Sequence, residues 1–190
     1  MRWLPRVSNA LLSLEKRFIA ILAAALVLLV LLNVVTRAAG AAIFWVDELA
    51  IYTMIWMALI GASAMLRMRT GVAVTLLTDF LPRSFRRAVA RLVDAILLLL
   101  ALALLILSLQ WYDPIALIQA GFDLDEFARN TFKFIYTEPT NTVGIQKFWV
   151  WLAVPLMAFA MTIHAVANLL EGPPEAGSAG EADPRSLSEM

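Results

Sequence analysis

The sequence contains no cysteine and little charge. The absence of cysteine from all 190 residues excludes disulfide bonds, thiolate metal ligands and cysteine nucleophiles. Charged residues make up 16% of the chain, against about a quarter in an ordinary soluble domain, while hydrophobic residues make up 62%. Fifteen basic and fifteen acidic side chains leave no net charge, so the total favours no nucleic-acid partner. This composition argues against a water-soluble fold.

Sequence motifs of enzyme chemistry are also missing. There is no phosphate-binding loop, no nucleophile elbow and no His-Glu zinc helix. The one histidine, His164, cannot supply a pair of haem ligands, and no carboxylate cluster stands beside it in the sequence. We expect His164, with Asn168 on the same helix face, to hydrogen-bond between helices. Neither an enzymatic activity nor a cofactor is predicted.

Four long apolar runs occupy most of the chain. A helix needs about 20 apolar residues to cross about 30 Å of hydrocarbon, and residues 18–36, 46–66, 92–112 and 148–170 are of that length. Backbone groups in hydrocarbon need internal partners, and the runs lack the alternation of barrel strands, so helix is favoured. The sequence predicts an all-α membrane protein whose membrane domain, residues 18–170, has four transmembrane helices.

The first run shares two features with a secretory signal peptide. Basic residues precede it, and Ala39-Gly40-Ala41 is similar to a small-residue cleavage site. Its length of about 19 residues exceeds the usual 7–15 of a signal core. We therefore expect this run to be retained as an uncleaved helix.

Basic residues are distributed unevenly among the connections. Most lie before the first run and between the second and third, whereas the first connection has Arg37 alone and the third is diluted by acids. Because short loops rich in Lys and Arg stay in the cytoplasm, we expect both termini to be cytoplasmic. We expect the cluster of Arg83, Arg86 and Arg87 to face lipid headgroups.

The segments that flank the spans differ in character. Residues 1–17 have a helical rhythm of apolar residues, which predicts either an amphipathic lead-in on the cytoplasmic surface or an extension of the first helix. Residues 71–81 are apolar but too short to cross, so we expect them at the membrane interface. Residues 171–190 are rich in Gly, Pro, Ser, Ala and Glu, which predicts a disordered cytoplasmic tail.

The longest connection is the non-cytoplasmic segment 113–147. Helical spacing from Leu124 to Ile135 predicts a short helix, with Asp123 or Asp125 available to cap its start. Residues 137–141 are typical of a turn. We expect the apolar face of the short helix to pack on protein or to dip into lipid.

A polar cluster stands between the first two spans. Asn33 and Arg37 are four residues apart and share a helix face. Asp47 and Glu48 begin the second span, where the helix dipole favours negative charge. A pair between Arg37 and either acid is expected to pin the first two helices together.

Aromatic residues continue this cluster along the second span. Tyr52 and Trp56 follow Glu48 at i+4 and i+8, and Trp45 precedes it. Aromatic side chains beside a carboxylate suit a protein–protein seam, so a helix–helix contact is favoured over a set of interfacial anchors. Small residues around Gly61 would allow close approach of a helix, most simply one of the chain's own bundle.

Two residues near the ends of the later spans have local explanations. Asp94 follows Arg91 by three positions near the start of the third span, which predicts either a local ion pair or snorkelling at the membrane boundary. Pro155 is expected to kink the fourth span.

One ordered series of residues runs through the first half of the chain: Glu15, Asn33, Arg37, the stretch 45–52, Trp56, Gly61-Ala62, Arg67 and Leu81-Pro82. In this series the chain resembles the DctQ-type small membrane subunit of tripartite ATP-independent periplasmic (TRAP) transporters. The later spans match mostly by length and position. The chain departs from the pattern at Gly71 and Thr75, where the family often has His and Asp, and in segment 113–147, which is often shorter.

The resemblance implies a multi-pass protein of the bacterial inner membrane that partners a large multi-span permease subunit and an extracytoplasmic solute-binding protein. The small subunit would be a static scaffold during sodium-coupled uptake of an organic acid, such as a dicarboxylate or a sialic acid. A self-sufficient small oligomeric transporter and a membrane-embedded enzyme or electron carrier stay open as alternatives. The candidate partner-interface or structural residues are Asn33, Arg37, Trp45, Asp47, Glu48, Tyr52, Trp56, Gly61 and Arg67.

Overall fold

The computed structural model describes residues 3–69 and 83–172. Its elements over these residues are α1 (Trp3–Ala38), α2 (Phe44–Met68), α3 (Arg83–Tyr112), α4 (Pro114–Gln119), α5 (Leu124–Thr131), α6 (Lys147–Trp151) and α7 (Ala153–Glu171). Four stretches are long and apolar enough to cross a membrane, namely Trp3–Ala38, Phe44–Met68, Arg87–Gln119 and Lys147–Glu171. The predicted all-α fold with four membrane spans is confirmed. The predictions for residues 71–81 and for the tail from residue 173 fall outside the described residues.

The first helix, α1, is continuous over 36 residues. Residues 3–17 form its first turns, so the structure has the extension of the first span and not a separate lead-in helix. At about 1.5 Å per residue this helix is about 54 Å long, well beyond the thickness of the hydrocarbon. A tight turn follows, in which Gly40 has a φ of 70° and the Ala41 N–H donates to the Thr36 carbonyl at 2.9 Å. A left-handed residue at this point is usually glycine because it has no Cβ.

The long helices pack around α7. Helix α2 packs against both α1 and α7, and α3 packs against α7. In the most apolar 18-residue stretch of the last span half of the residues are buried, whereas the corresponding stretch of α1 has no buried residue. The core between the helices contains Leu66, Ala101, Met157, Met161 and Ala165. Helix α7 is therefore the central helix of the bundle, and α1 and α3 lie at its edges.

The last span is interrupted one turn before Pro155. The helix breaks at Leu152, which ends α6 and begins α7. Proline has no N–H and its ring crowds the carbonyl four residues earlier, here that of Trp151, so the interruption lies where the sequence predicted a kink. Beside the break, the Val150 carbonyl accepts a hydrogen bond from the indole N–H of Trp56 at 2.8 Å. This bond joins α2 to the last span.

Segment 113–147 folds into two short helices and a loop. Asp113, at a φ of 45°, turns the chain off the end of α3 and caps α4, in which Pro114 is the first residue. Asp123 caps α5 by accepting two backbone N–H groups at 2.9 Å, as one of the two predicted caps. Helix α4 was not predicted, because six mainly apolar residues show no helical periodicity of their own.

A second core joins these elements to the ends of α3 and α6. Tyr112, Phe127 and Tyr136 are buried together, and the Tyr136 ring meets the other two edge-on at centroid distances of 6.0 and 5.3 Å. The Tyr112 hydroxyl donates to the Phe148 carbonyl at 2.7 Å, and the Tyr136 hydroxyl to the Tyr112 carbonyl at 2.8 Å. Burial and the nearby charge of Asp113 raise the pKa of Tyr136. Segment 113–147 is thus fixed to the bundle.

Candidate functional site

The polar cluster predicted between the first two spans is formed. Asn33 and Arg37 on α1 both donate hydrogen bonds to the carboxylate of Asp47 on α2. The Arg37 Nε also donates to the Asn33 Oδ1 at 2.7 Å, so the three side chains close a ring, which we call the junction cluster. Of the two acids proposed as partners of Arg37, Asp47 is the one bonded. The side chains of Arg37 and Asp47 are 58% and 38% exposed, so the cluster is open to a neighbour.

Glu48 points away from the junction cluster, into the loop between α5 and α6. Its carboxylate accepts the backbone N–H groups of Asn141, Thr142 and Val143 at 2.8, 2.5 and 2.9 Å. The hydroxyls of Thr142 and Tyr52 donate to the same carboxylate. We call this set of contacts the Glu48 latch. Sequence reasoning found Glu48 and Tyr52 but missed the loop, because backbone donors have no residue signature.

Trp56 and Trp45 differ in their surroundings. The indole of Trp56 donates to α6, as described above, and its ring lies edge-on to Phe18 of α1 at 6.2 Å. Trp45 is 43% exposed and its neighbour Phe44 is 73% exposed. The polar atoms of Tyr52 and Trp56 are thus satisfied within the chain, and their part in a contact with another protein stays a prediction.

Among the described residues, nothing packs on the small residues around Gly61. A Cβ atom added at Gly61 would meet no atom of residues 3–69 and 83–172 within 4 Å, so the expectation of packing inside the chain's own bundle is wrong for this part of the chain. The reason is that α1 and α7 contact other sides of α2, where Thr53, Ser63 and Leu66 are buried. The open face of α2 consists of Ile51, Met54, Ala58, Gly61, Ala62 and Met65.

Arg67 lies at the end of the bundle near the N-terminus, which we call the terminal end, and joins three helices. Its side chain is only 7% exposed. The guanidinium donates to Asn9 Oδ1 of α1 and Asn168 Oδ1 of α7, each at 2.6 Å, and to both carboxylate oxygens of Glu171 at 2.6 and 3.0 Å. The Asn168 Nδ2 in turn donates to the Leu66 carbonyl at 2.9 Å. Arg67 is therefore a structural residue of this chain.

Asp94 pairs with Arg69 and not with Arg91. The Arg69 Nη2 donates to Asp94 Oδ2 at 3.0 Å and to the Asn168 carbonyl at 2.6 Å. The expectation of a local pair with Arg91 is wrong because Arg91 is exposed, whereas Asp94 is buried and requires a partner inside the bundle. Arg69 supplies it from the end of α2, where a φ of 54° terminates the helix.

His164 of α7 is fully buried and bridges two side chains of α1. Its Nδ1 lies 2.7 Å from Ser8 Oγ and its Nε2 lies 3.0 Å from Glu15 Oε2. The predicted hydrogen bonding between helices is confirmed. One carboxylate, 149 residues away in sequence, does stand beside the histidine. Among the described residues, no three or more His, Asp and Glu side chains come together as metal ligands.

The lipid-headgroup prediction concerns the first turns of α3. Arg87 is exposed there. The side chains of Arg83 and Arg86 fall outside the part that the structure describes. Contact with headgroups stays a prediction at these positions.

Comparison with known proteins identifies the family of the chain. The family model described as "Tripartite ATP-independent periplasmic transporters, DctQ component" matches residues 26–173. The C4-dicarboxylate TRAP transporter small permease protein DctQ of Vibrio cholerae serotype O1 (strain ATCC 39315 / El Tor Inaba N16961) is 29% identical over 125 residues, which are 65% of this chain and 54% of that relative. The match thus spans about half of the relative's length. The chain belongs to the DctQ component family of TRAP transporters, a family of transporter subunits and not of enzymes.

Proposed function

We propose that this chain is the small permease subunit of a TRAP-type secondary transporter and acts as a static scaffold for a large permease subunit. The main support is that the buried polar side chains bond to one another between helices. At the terminal end, bonds between helices engage Ser8, Glu15, Arg67, Arg69, Asp94, His164 and Asn168. Among the described buried side-chain atoms, Ser63 Oγ alone has no hydrogen-bond partner. Such groups hold helices together and are poorly placed to bind and release a carried ion.

The open face of α2 supports a contact with a larger membrane partner. Helix–helix contacts in membranes favour small residues, which let two backbones approach closely, and Gly61 offers that space. Asp47 precedes Ile51 by four residues and Met54 by seven, so the junction cluster lies at the start of the same face. A partner helix on this face would cover small apolar residues and end against the Arg37–Asp47 pair.

The wider system follows from the family. We infer that the chain lies in a bacterial inner membrane with cytoplasmic termini and works with a large permease subunit and an extracytoplasmic solute-binding protein. The matched relative is named for C4-dicarboxylates, which makes an organic acid the substrate class to test first. Coupling to sodium belongs to the same proposal, and both substrate and ion would be held by the large subunit.

The test is assembly followed by transport. We expect the tagged chain to co-purify with a large TRAP permease subunit produced in the same cells, and the pair with a solute-binding protein to take up organic acids into proteoliposomes under a sodium gradient. Arg37→Ala with Asp47→Ala, which removes the exposed pair of the junction cluster, should weaken co-purification. Unchanged assembly and uptake in this double variant would remove these residues from the interface, and uptake by this chain alone would overturn the scaffold role.

A matched pair of variants locates the interface on α2. Ala62→Leu adds bulk to the open face of α2, and Ala103→Leu makes the same change at an exposed position of α3. We expect the first variant to reduce co-purification with the large subunit and the second to leave it unchanged. Equal effects would mean that the open face of α2 is not the contact.

A further inference from the structure

Helix α4 is apolar on nearly all sides, although it is not enclosed by the chain. One side, formed by Ala116, Leu117 and Ala120, packs on the second core. Away from this side, Ile115 and Ile118 are three positions apart in the helix and are 69% and 62% exposed, and Phe122, three residues beyond the end of the helix, is 67% exposed. A helix that is hydrophobic all round belongs in an apolar environment, either a protein core or lipid.

The neighbours of α4 indicate where the membrane boundary lies. Trp111 at the end of α3 and Trp149 in α6 are 40% and 55% exposed, and such tryptophans are enriched at the headgroup level. The Lys133 Nζ donates to the Gln110 carbonyl and to Asp113 Oδ2, both at 2.6 Å, which closes the end of α3 with polar groups. Helix α4 follows directly, within the same apolar stretch Arg87–Gln119. It therefore begins at the boundary.

Helix α5 has the opposite character. Its Phe127 and Ala128 are buried, while Asp125, Glu126 and Arg129 are exposed. A helix with this pattern presents its polar side to water. Segment 113–147 thus has one apolar side, on α4, and one polar side, on α5.

Two phenylalanines next to α5 add to the exposed apolar surface in an unusual way. Phe122 precedes the helix and Phe132 ends it, with φ values of 64° and 56°, and Phe132 is 81% exposed. A left-handed backbone is unfavourable for a bulky residue and is kept only where the surroundings impose it.

We propose that α4 lies in the headgroup region of the membrane, with Ile115, Ile118 and Phe122 inserted among phospholipid acyl chains, so that segment 113–147 is docked on the bilayer. Phospholipid is favoured over a partner helix for two reasons. The bare face carries bulky residues, unlike the small-residue faces by which membrane helices associate. The helix also follows directly in the chain on α3, whose last turns expose Leu107 at 60% and Trp111 at 40%. The proposal does not depend on the transporter assignment.

The cysteine-free sequence allows a direct test by spin labelling. The full chain would carry a nitroxide at Ile118→Cys or Phe122→Cys, in vesicles of phosphatidylethanolamine and phosphatidylglycerol. Leu107→Cys is the lipid control, and Asp125→Cys on the polar side of α5 is the water control. Relaxation by oxygen reports lipid exposure, and relaxation by a water-soluble nickel chelate reports water exposure. We expect labels at 118 and 122 to follow the lipid control.

Two results would overturn the proposal. Nickel access at 118 and 122 equal to that at 125 would place α4 in water. Low access to both reagents would mean that protein, either another copy of the chain or a partner, covers the face. Should Phe122→Cys disturb the turn before α5, Ile115→Cys reports on the same face and carries the same two outcomes.

Discussion

The two ends of the helix bundle are tied by the same chemistry at very different exposure. At the terminal end each pair has one buried member, since Arg67 is 7% exposed beside Glu171 at 39%, and Asp94 is 7% exposed beside Arg69 at 22%. At the junction end neither member is buried, since Arg37 is 58% and Asp47 is 38% exposed. Removing one member of an ion pair is costly when the other member is a buried charge, which is then left without a partner. An exposed pair contributes little to stability because water and salt screen it. Arginine–carboxylate contacts therefore stabilise the fold at the terminal end, whereas at the junction end they form an exposed surface that a partner could cover.

The largest effect is expected from Arg67→Met. Methionine keeps much of the length of the side chain but removes the charge that Asn9, Asn168 and Glu171 share. Hydrogen bonds to a charged group are worth about 1.5–3 kcal/mol each, and the ion pair with Glu171 adds little because Glu171 is 39% exposed. We therefore expect the free energy of unfolding in mixed micelles to fall by about 3 kcal/mol. Arg87→Met, at an exposed arginine of α3, should change the same free energy by less than about 0.5 kcal/mol. Equal losses of unfolding free energy in Arg67→Met and Arg87→Met would mean that burial does not decide how much an arginine contributes to stability.

The next effect is expected from His164→Leu. It leaves Ser8 and Glu15 buried without their partner, at a cost of about 1–3 kcal/mol in unfolding free energy. Combined with Glu15→Gln, the losses should not add, with a coupling of about 0.5 kcal/mol or more. Thr162→Val is the control, because the Thr162 hydroxyl bonds only to its own helix. Additive losses in the double variant would mean that His164 and Glu15 do not interact.

Arg37→Ala should have a small effect on the isolated subunit. The Arg37–Asp47 pair is exposed, so we expect the free energy of unfolding to fall by no more than about 1 kcal/mol. If the junction cluster is covered in the assembled transporter, co-purification with the large subunit should fall more than stability does. A loss of stability as great as that of Arg67→Met would show the two ends to be equivalent.

The smallest global effect is expected from Glu48→Gln, with a distinct local one. The amide retains one acceptor oxygen but replaces the other by donors that face the N–H groups of Thr142 and Val143. We expect faster hydrogen exchange at residues 141–143 and little change in the other helices. Glu138→Gln, which alters an exposed pair with Lys147 in the same loop, should leave exchange at 141–143 as it was. Unchanged exchange in Glu48→Gln would argue against the Glu48 latch.

The spans could be predicted from the sequence because length and hydropathy are enough to define them. Residues 46–66 were expected where α2 has Phe44–Met68. The third span was expected at residue 92, whereas α3 begins at Arg83, because its charged first turns give no apolar signal. The continuation of α1 through residues 3–17 stayed one of two alternatives for the same reason.

The site could be predicted only where its members are close in the chain. Asn33, Arg37 and Asp47 lie within 14 residues, and the connection between their helices is short. His164 and Glu15 are 149 residues apart, and Arg67 and Asn168 are 101 apart. Pairing at such separations depends on which helices are neighbours, and the periodicity of a single span does not contain that information.

The contacts at both ends of α1 and α2 have a consequence for the surrounding bilayer. Arg67 with Asn9 at one end and Arg37 with Asp47 at the other fasten the same two helices together, so neither can slide along its neighbour. A pair fixed in this way has a constant hydrophobic length, so in a thinner membrane it can respond only by tilting as a unit. Any mismatch that tilting does not remove must be met by annular phospholipids, which stretch or compress at an elastic cost.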